Sequence, residues 1–322
     1  MKKKCILLVA FIVCIFIKEK QITAQMDPQF TSNMFLQPLI NPASVGEADM
    51  ARAFMNLRNQ WSNVGPKTTA AFVETPFNGF KRKHGAALTF LQDKAGLFST
   101  FNINLAYSHK QDIWNGTLSA GVQLGLTSLT WDGSNINNNI INSPFHNDLG
   151  IDYEKLKISE TSNKFDASIG IHYTDKKQCY GISLSHLARP TLELYKSNYY
   201  IYYNRTLNIY GGYNLAFRSL PYLQLKTFAL LKTDGRNTQI DLNCNAWYKD
   251  LFYIGASYRI QDAIAFLGGI KLKNGILFGG SYDITTSKIA FGGFGSVEAF
   301  ISYEFSLSLN YKSNKYKSIR IL

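Results

Sequence analysis

From residue 50 onward, apolar and polar residues alternate with a period of two. Phe101, Ile103, Leu105 and Tyr107 alternate with Asn102, Asn104 and Ala106; Leu118, Ala120, Val122, Leu124 and Leu126 alternate with Ser119, Gly121, Gln123, Gly125 and Thr127. Ile240 and Leu242 likewise oppose Gln239, Asp241, Asn243 and Asn245, and Phe252, Ile254, Ala256 and Tyr258 oppose Tyr253, Gly255, Ser257 and Arg259. Residues i and i+2 share one face of a strand, so each segment carries one apolar and one polar side. The pattern predicts fourteen strands, over 50–59, 67–76, 84–93, 98–109, 116–127, 165–175, 179–188, 205–216, 220–232, 237–248, 251–261, 263–273, 276–286 and 297–309. Asn78-Gly79, Asn115-Gly116, Asp234-Gly235 and Asn274-Gly275 fall between them, as hairpin turns require.

A soluble sandwich would alternate in the same way, but three features favour a membrane. Segments of about 10 to 12 residues suit a tilted transmembrane strand better than a globular sheet. The polar faces hold Gly, Ser and Asn, as a barrel lumen does, rather than Lys and Glu. Aromatic residues crowd the segment ends, among them Trp247 and Tyr248, Phe252 and Tyr253, and Tyr303 and Phe305, as interfacial girdles require. The fold class expected is therefore all-β: a transmembrane antiparallel β-barrel over 50–309, with the even strand number that bacterial barrels favour.

Composition agrees. Only 17% of the 322 residues are charged and 14% are aromatic, with a mean hydropathy of −0.11. Repeated apolar runs of about 20 residues, the mark of a helical membrane protein, are missing, and the aromatic content is far above that of a disordered chain. The one apolar run, Cys5 to Ile17, follows Lys2, Lys3 and Lys4 and precedes Ile22-Thr23-Ala24, the order of a secretory signal peptide over 1–24. The polar insert Lys18-Glu19-Lys20 leaves an uncleaved anchor as the alternative, while Val13 before Cys14 is poorly suited to a lipoprotein signal. The net charge is +12; removal of 1–24 takes away five Lys and one Glu and leaves +8. That charge is dispersed, apart from a basic C-terminal tail over 310–322, so no nucleic-acid partner is expected.

The sequence offers little chemistry. Cys179 and Cys244 remain after the signal peptide, and alternation sets them on opposite faces of the wall, so free thiols are expected. The five histidines, His84, His109, His146, His172 and His186, show no metal-ligand spacing. Neither a nucleophile elbow nor a phosphate loop is present; Gly292-Gly293-Phe294-Gly295 reads as a turn, and adjacent Ser185 and His186 point oppositely on a strand. No catalytic residue, cofactor or metal is expected.

Two segments break the pattern: 25–49, rich in Pro and read as an ordered coil that forms a periplasmic or plug segment, and the long Asn-rich loop 128–164. Arg58 lies within the first strand and should face inward and pair, with Asp27 or Glu74 as expected partners, tethering the coil inside or under the barrel. Trp61 reads as a girdle or core aromatic.

Several motifs resemble the PorP/SprF family. They are Ala24-Gln25-Met26-Asp27-Pro28-Gln29-Phe30, Asn33-Met34-Phe35, Asn41-Pro42-Ala43-Ser44-Val45-Gly46, Arg58-Asn59-Gln60-Trp61 with Gly65-Pro66-Lys67-Thr68, His84-Gly85 with Asp93, Ala95 and Gly96, Phe165 to Gly170, and Ser185-His186-Leu187 with Pro190. The departures are Met26, Ser44-Val45 in place of a Tyr-Ala pair, and the basic tail. The resemblance implies a non-enzymatic outer-membrane component of type IX secretion or gliding machinery in Bacteroidetes, assisting export or surface attachment of a large adhesin. It implies as partners outer-membrane lipid, other type IX secretion components, a peptidoglycan-binding periplasmic protein and the secreted adhesin. Candidate partner or plug contacts are Asp27, Pro28, Phe30, Asn41, Pro42, Arg58 and Trp61, with 27–46 for the periplasmic partner and 133–164 for an exterior or lumenal one. The alternative function is a diffusion channel or small-solute transporter lined by Asn102, Asn104, Gln239, Asp241 and Asn243.

Overall fold

The computed structural model describes residues 27–48, 50–61, 65–79, 82–133, 159–194, 199–286 and 295–306. The expected signal peptide, the tail 310–322, residues 134–158 of the long loop and 287–294 lie outside them. Fourteen antiparallel strands close into a barrel. The first half of the wall comprises β1 (Ala51–Asn59), β2 (Lys67–Gly79), β3 (Arg82–Ala95), β4 (Phe98–Ile113), β5 (Gly116–Asp132), β6 (Ser159–Thr174) and β7 (Gln178–Ser185). A separate hairpin follows, β8 (Thr191–Leu194) and β9 (Tyr199–Tyr202). The wall resumes with β10 (Thr206–Phe217), β11 (Leu220–Thr233), β12 (Thr238–Tyr248), β13 (Phe252–Arg259), β14 (Ala263–Lys271), β15 (Ile276–Thr285) and β16 (Ser296–Phe305), which pairs with β1.

Alternation sorts the side chains as a barrel in lipid demands. Leu57, Leu105, Leu124, Ile254 and Phe266 are exposed on the outer wall, while Asn56, Ser108, Gln123, Asn243 and Ser257 are buried on the inner one. Closure leaves no unpaired strand edge, the condition for a sheet to cross a bilayer. At one end the connections are two to four residues long, and the chain enters β1 and leaves β16 there. At the other end β5 ends and β6 begins, and β7 ends and β10 begins, so the two longest connections of the wall join strands there. Short turns mark the periplasmic end and long connections the exterior end of outer-membrane barrels. Trp114, Tyr180, Tyr213, Tyr222, Tyr248 and Phe252 project outward near the short-turn end as a girdle.

Three expectations need correction. The aromatic pairs at strand ends do not all belong to girdles. Trp247 and Tyr253 are 6% and 1% exposed, face the lumen and stack on each other at 4.8 Å, because only every second residue can face lipid. Strands β5 and β6 are 17 and 16 residues long and run into the segment read as loop, so the connection shrinks to 133–158. Leu129 and Trp131 extend the alternation and pack on Tyr203, and Trp131 still pairs with Glu160. The β8–β9 hairpin was not expected from the sequence. It sits at the exterior end, where the Glu193 N–H donates to Ser162 Oγ at 3.3 Å.

Candidate functional site

Residues 27–48 lie inside the barrel. The segment read as coil holds three short helical turns, Asn33–Phe35, Gln37–Ile40 and Pro42–Ser44. It begins near the exterior end beside His186 and descends to the periplasmic end, where it passes into β1. Local chemistry shapes the lowest turn. The Asn41 side chain accepts the Ala43 N–H at 2.9 Å, Pro42 takes the first helical position, and Ser44 Oγ donates to the Asn41 carbonyl at 2.8 Å. Gly46, at φ +64°, then turns the chain toward the wall.

A buried charge network grips the top of this plug. Arg58 reaches Asp283 at 2.7 Å and Glu298 at 2.9 Å; Arg259 reaches Asp241 at 2.9 Å and Asp283 at 3.6 Å. The carboxylates also hold Thr31, Ser32 and Asn33. The Thr31 N–H donates to Glu298 at 2.8 Å and its hydroxyl to Asp283 at 2.8 Å; the Ser32 hydroxyl donates to Glu298, and the Asn33 amide to Asp241 at 3.2 Å. Every charge here faces an opposite charge or a donor, as buried ions require.

Arg58 does not pair with Asp27 or Glu74. Strand register decides this: Arg58 lies opposite Glu298 on β16, whereas Glu74 lies opposite Arg52 and binds it at 2.6 Å. Glu74 also accepts the Gly46 N–H at 2.7 Å, which fixes the bottom of the plug. Asp27 sits between His186, at 2.9 Å, and Lys232, whose ammonium donates to the Asp27 and Pro28 carbonyls at 3.3 and 3.4 Å. His186 Nδ1 faces Asp166. Burial disfavours a charged His186, but Asp27 and Asp166 outweigh it and push its pKa up to about 10; burial likewise opposes the Asp27 charge, and His186 holds it below the usual carboxylate range.

The middle of the plug is apolar. Leu36, fully buried, packs with Phe54, Phe72, Trp247, Tyr253, Leu267 and Phe300, and Phe30, Met34, Phe35 and Leu39 join them. Phe35 lies 4.9 Å from Phe300 and 5.7 Å from Tyr253. On the opposite side the plug backbone rests directly on the wall: a Cβ at Gly121 would lie 2.3 Å from Ala43 N, and one at Gly85 would lie 2.1 Å from the Val45 carbonyl oxygen. Asn41 donates to the Ile171 carbonyl at 3.0 Å and to Tyr210 at 3.2 Å. Trp61 stands apart at the exterior mouth, half-buried, its N–H directed at Ser296 Oγ at 3.2 Å. Cys179 faces the lumen, Cys244 the outside, and both are free.

The candidate residues Asp27, Pro28, Phe30, Asn41, Pro42 and Arg58 thus gather around one plug. Sequence reasoning missed Thr31, Ser32 and Asn33, and the wall groups Asp283, Glu298 and His186. A signal for two of them was present: Tyr282-Asp283-Ile284 and Val297-Glu298-Ala299 place a carboxylate between apolar neighbours, so it must face the lumen. Among the described residues no group of three or more His, Cys, Asp or Glu side chains could hold a metal ion.

The family model for the type IX secretion system membrane protein PorP/SprF matches residues 22–303. The chain belongs to the PorP/SprF family. It is a component of type IX secretion, and its lipid-facing barrel places it in the outer membrane. No curated protein matches the PorP/SprF chain. Solved structures similar to it include the Acinetobacter baumannii outer membrane protein Omp33, at 5% identity and a TM-score of 0.49 over 80% of this chain and 98% of that one. Also similar are the toluene transporters TbuX of Ralstonia pickettii and TodX of Pseudomonas putida, each 11% identical over 84% of this chain, with TM-scores of 0.47 and 0.48 and coverage of 92% and 93% of their own chains.

Proposed function

We propose that this protein is a plugged outer-membrane platform that assists the export or surface attachment of a large adhesin by type IX secretion. The observation that carries the reading is the lumen filled by 27–48 and fixed at top, middle and bottom. A barrel closed in this way does its work at its rims, through non-covalent docking. The short-turn rim suits a periplasmic partner such as a peptidoglycan-binding protein, and the exterior connections, including 133–158, suit the exported protein. Two of the polar side chains that would line a channel are engaged instead: Asn243 donates to Asn33 at 3.0 Å, and Asp241 is shared by Asn33 and Arg259.

Two measurements test this reading. Purified protein in planar bilayers is expected to be electrically silent, and steady open currents would favour the channel. Affinity purification from the native membrane is expected to recover other secretion components and an adhesin; recovery of none counts against the platform.

A further inference from the structure

Below the plug, at the short-turn end, a cavity of about 300 Å³ opens between the plug and β6, β7, β10, β11 and β12. This is the lower end of the size range of ligand sites. Its floor is apolar, made by Met34 and Phe35 of the plug with Phe228 and Trp247 of the wall. Lys226 lies 4.4 Å above the Trp247 ring, and among the described residues no carboxylate stands within ion-pair distance of it. Lys176 and Lys177 stand at the rim. Asp250 and Glu304 act on the Lys226 charge from beyond ion-pair distance, and Glu304 pairs with Lys271 at 3.0 Å; the acidic groups that line the cavity are engaged elsewhere. Asp175 accepts the Lys177 and Gln178 N–H groups at 2.7 and 3.0 Å within its own turn, and Glu47 lies 3.3 Å from His172.

Three carboxamides line the same cavity with unpartnered oxygens: Gln37, Asn214 and Asn245, the last only 2% exposed. Buried polar atoms in native proteins are hydrogen-bonded; these oxygens are shielded from the cavity, that of Asn245 against Gly255, so a ligand's donors meet them only when the side chains turn toward it. Carboxamides match backbone amides, since each can both donate and accept. Lysines without partners call for an anion, and the ring floor for an apolar group.

We propose that this vestibule binds an extended peptide segment of a periplasmic partner, with an acidic side chain beside an apolar one. The apolar group would lie on Phe228 and Trp247, the carboxylate would meet Lys226, and the backbone would pair with Gln37, Asn214 and Asn245. The inference requires the short-turn end to face the periplasm; it does not depend on the adhesin role.

The test uses the full chain in nanodiscs and two fluorescein-labelled peptides, leucyl-phenylalanyl-aspartate and its lysine-ended counterpart, read by anisotropy. Cys179 lines the cavity, so in a background with Cys5, Cys14 and Cys244 each replaced by Ala its maleimide labelling rate reports occupancy independently. The acidic peptide is expected to bind and to slow Cys179 labelling, and the lysine-ended one to do neither. Lys226→Glu should weaken binding by about tenfold or more, and Lys226→Arg should retain it, with the heat-dependent gel shift of the folded barrel unchanged in both. Equal binding of the two peptides, binding of neither, or a folded Lys226→Glu barrel with undiminished affinity would overturn the proposal. Binding of laurate where the acidic peptide fails would assign the cavity to a lipid instead.

Discussion

Where the plug faces β12 to β16 and β1 to β2, it meets carboxylates, guanidinium groups and a cluster of aromatic rings. Where it faces β3 to β7 and β10, it meets serines, carboxamides and bare glycine backbone. On the first side, Arg58, Arg259, Asp241, Asp283 and Glu298 form one connected set with Thr31, Ser32 and Asn33, and Leu36 is locked among rings. On the second, contacts are separate: single hydrogen bonds such as Ser108 to the Val45 carbonyl at 2.7 Å and local charged pairs, Asp27 with His186 at 2.9 Å and Glu47 with His172 at 3.3 Å, while a cavity of about 90 Å³ remains beside Asn102 and Asn208, whose side-chain oxygens lack partners. Buried ion pairs fail as a set, because each lost charge strands its partners in a low dielectric. Single contacts fail one at a time. The first side therefore anchors the plug, and the second lets it be loosened by degrees.

The sharpest way to break this contrast is Arg58→Ala. It leaves Glu298 without its cation and Asp283 with only Arg259, at 3.6 Å, and should cost about 3–5 kcal/mol. The expected outcome is a large fall in the thermal midpoint of the detergent-solubilised barrel, together with protease cleavage within 27–48. An unchanged midpoint and a protected plug would remove the anchor from this side. Leu36→Ala tests the apolar part of the same anchor. Truncation of a fully buried leucine costs about 2–5 kcal/mol, and the cavity it leaves lies against Phe54 and Phe72, which cannot collapse freely because their strands are fixed by the wall. The thermal midpoint should fall, and a shift like that of a surface substitution would show that the rings do not hold the plug.

A change on the second side should act differently. Gly121→Val puts a side chain where the Ala43 backbone now rests, an overpacking worth about 1–3 kcal/mol. The barrel wall has an outward neighbour on either side of residue 121 and keeps its ladder to β4 and β6. The expected result is a folded barrel with a displaced plug, seen as a normal gel shift with new protease sensitivity in 27–48 and intermittent conductance. Loss of the folded barrel, with no state in which the plug alone is released, would show the two sides to be equivalent.

The wall was legible because its signal is local and repeated. Every lipid-facing residue is reported by its neighbours two positions away, so the fourteen strands, the positions of Cys179 and Cys244 and the inward Arg58 could be read from alternation. The pairing of Arg58 could not, since it depends on β1 closing against β16 across 240 residues of chain. The plug was harder still. Thr31, Ser32 and Asn33 are ordinary turn residues in sequence, and their role comes from carboxylates on distant strands. Trp247 and Tyr253 show the limit of composition: aromatic residues at strand ends belong to a girdle only when register turns them outward, and these two line the lumen and pack with the plug instead.

The smallest global effect is expected from the latch at the top of the second side, and pH reads it directly. His186 has its folded pKa raised to about 10 from an ordinary value of 6.5. Its contribution is therefore fully present below about pH 6.5 and is lost as pH rises through about 10. Asp27 is shifted the other way, so its contribution is present above its ordinary value of 3.8 and is lost only as pH falls below that value toward its lower folded pKa. Between these limits the pair holds the first residues of the plug, while Thr31 to Asn33 are held by the separate set of Asp241, Asp283 and Glu298. Hydrogen exchange of the Asp27 to Phe30 amides should accelerate above neutral pH beyond the intrinsic rate, with Thr31 to Asn33 still protected. His186→Gln should abolish that extra acceleration and lower the thermal midpoint less than Arg58→Ala does, because the segment it releases is the end of the plug. If the whole plug loosens together with rising pH, or if His186→Gln lowers the midpoint as much as Arg58→Ala does, the latch belongs to the anchor and the two sides are not independent.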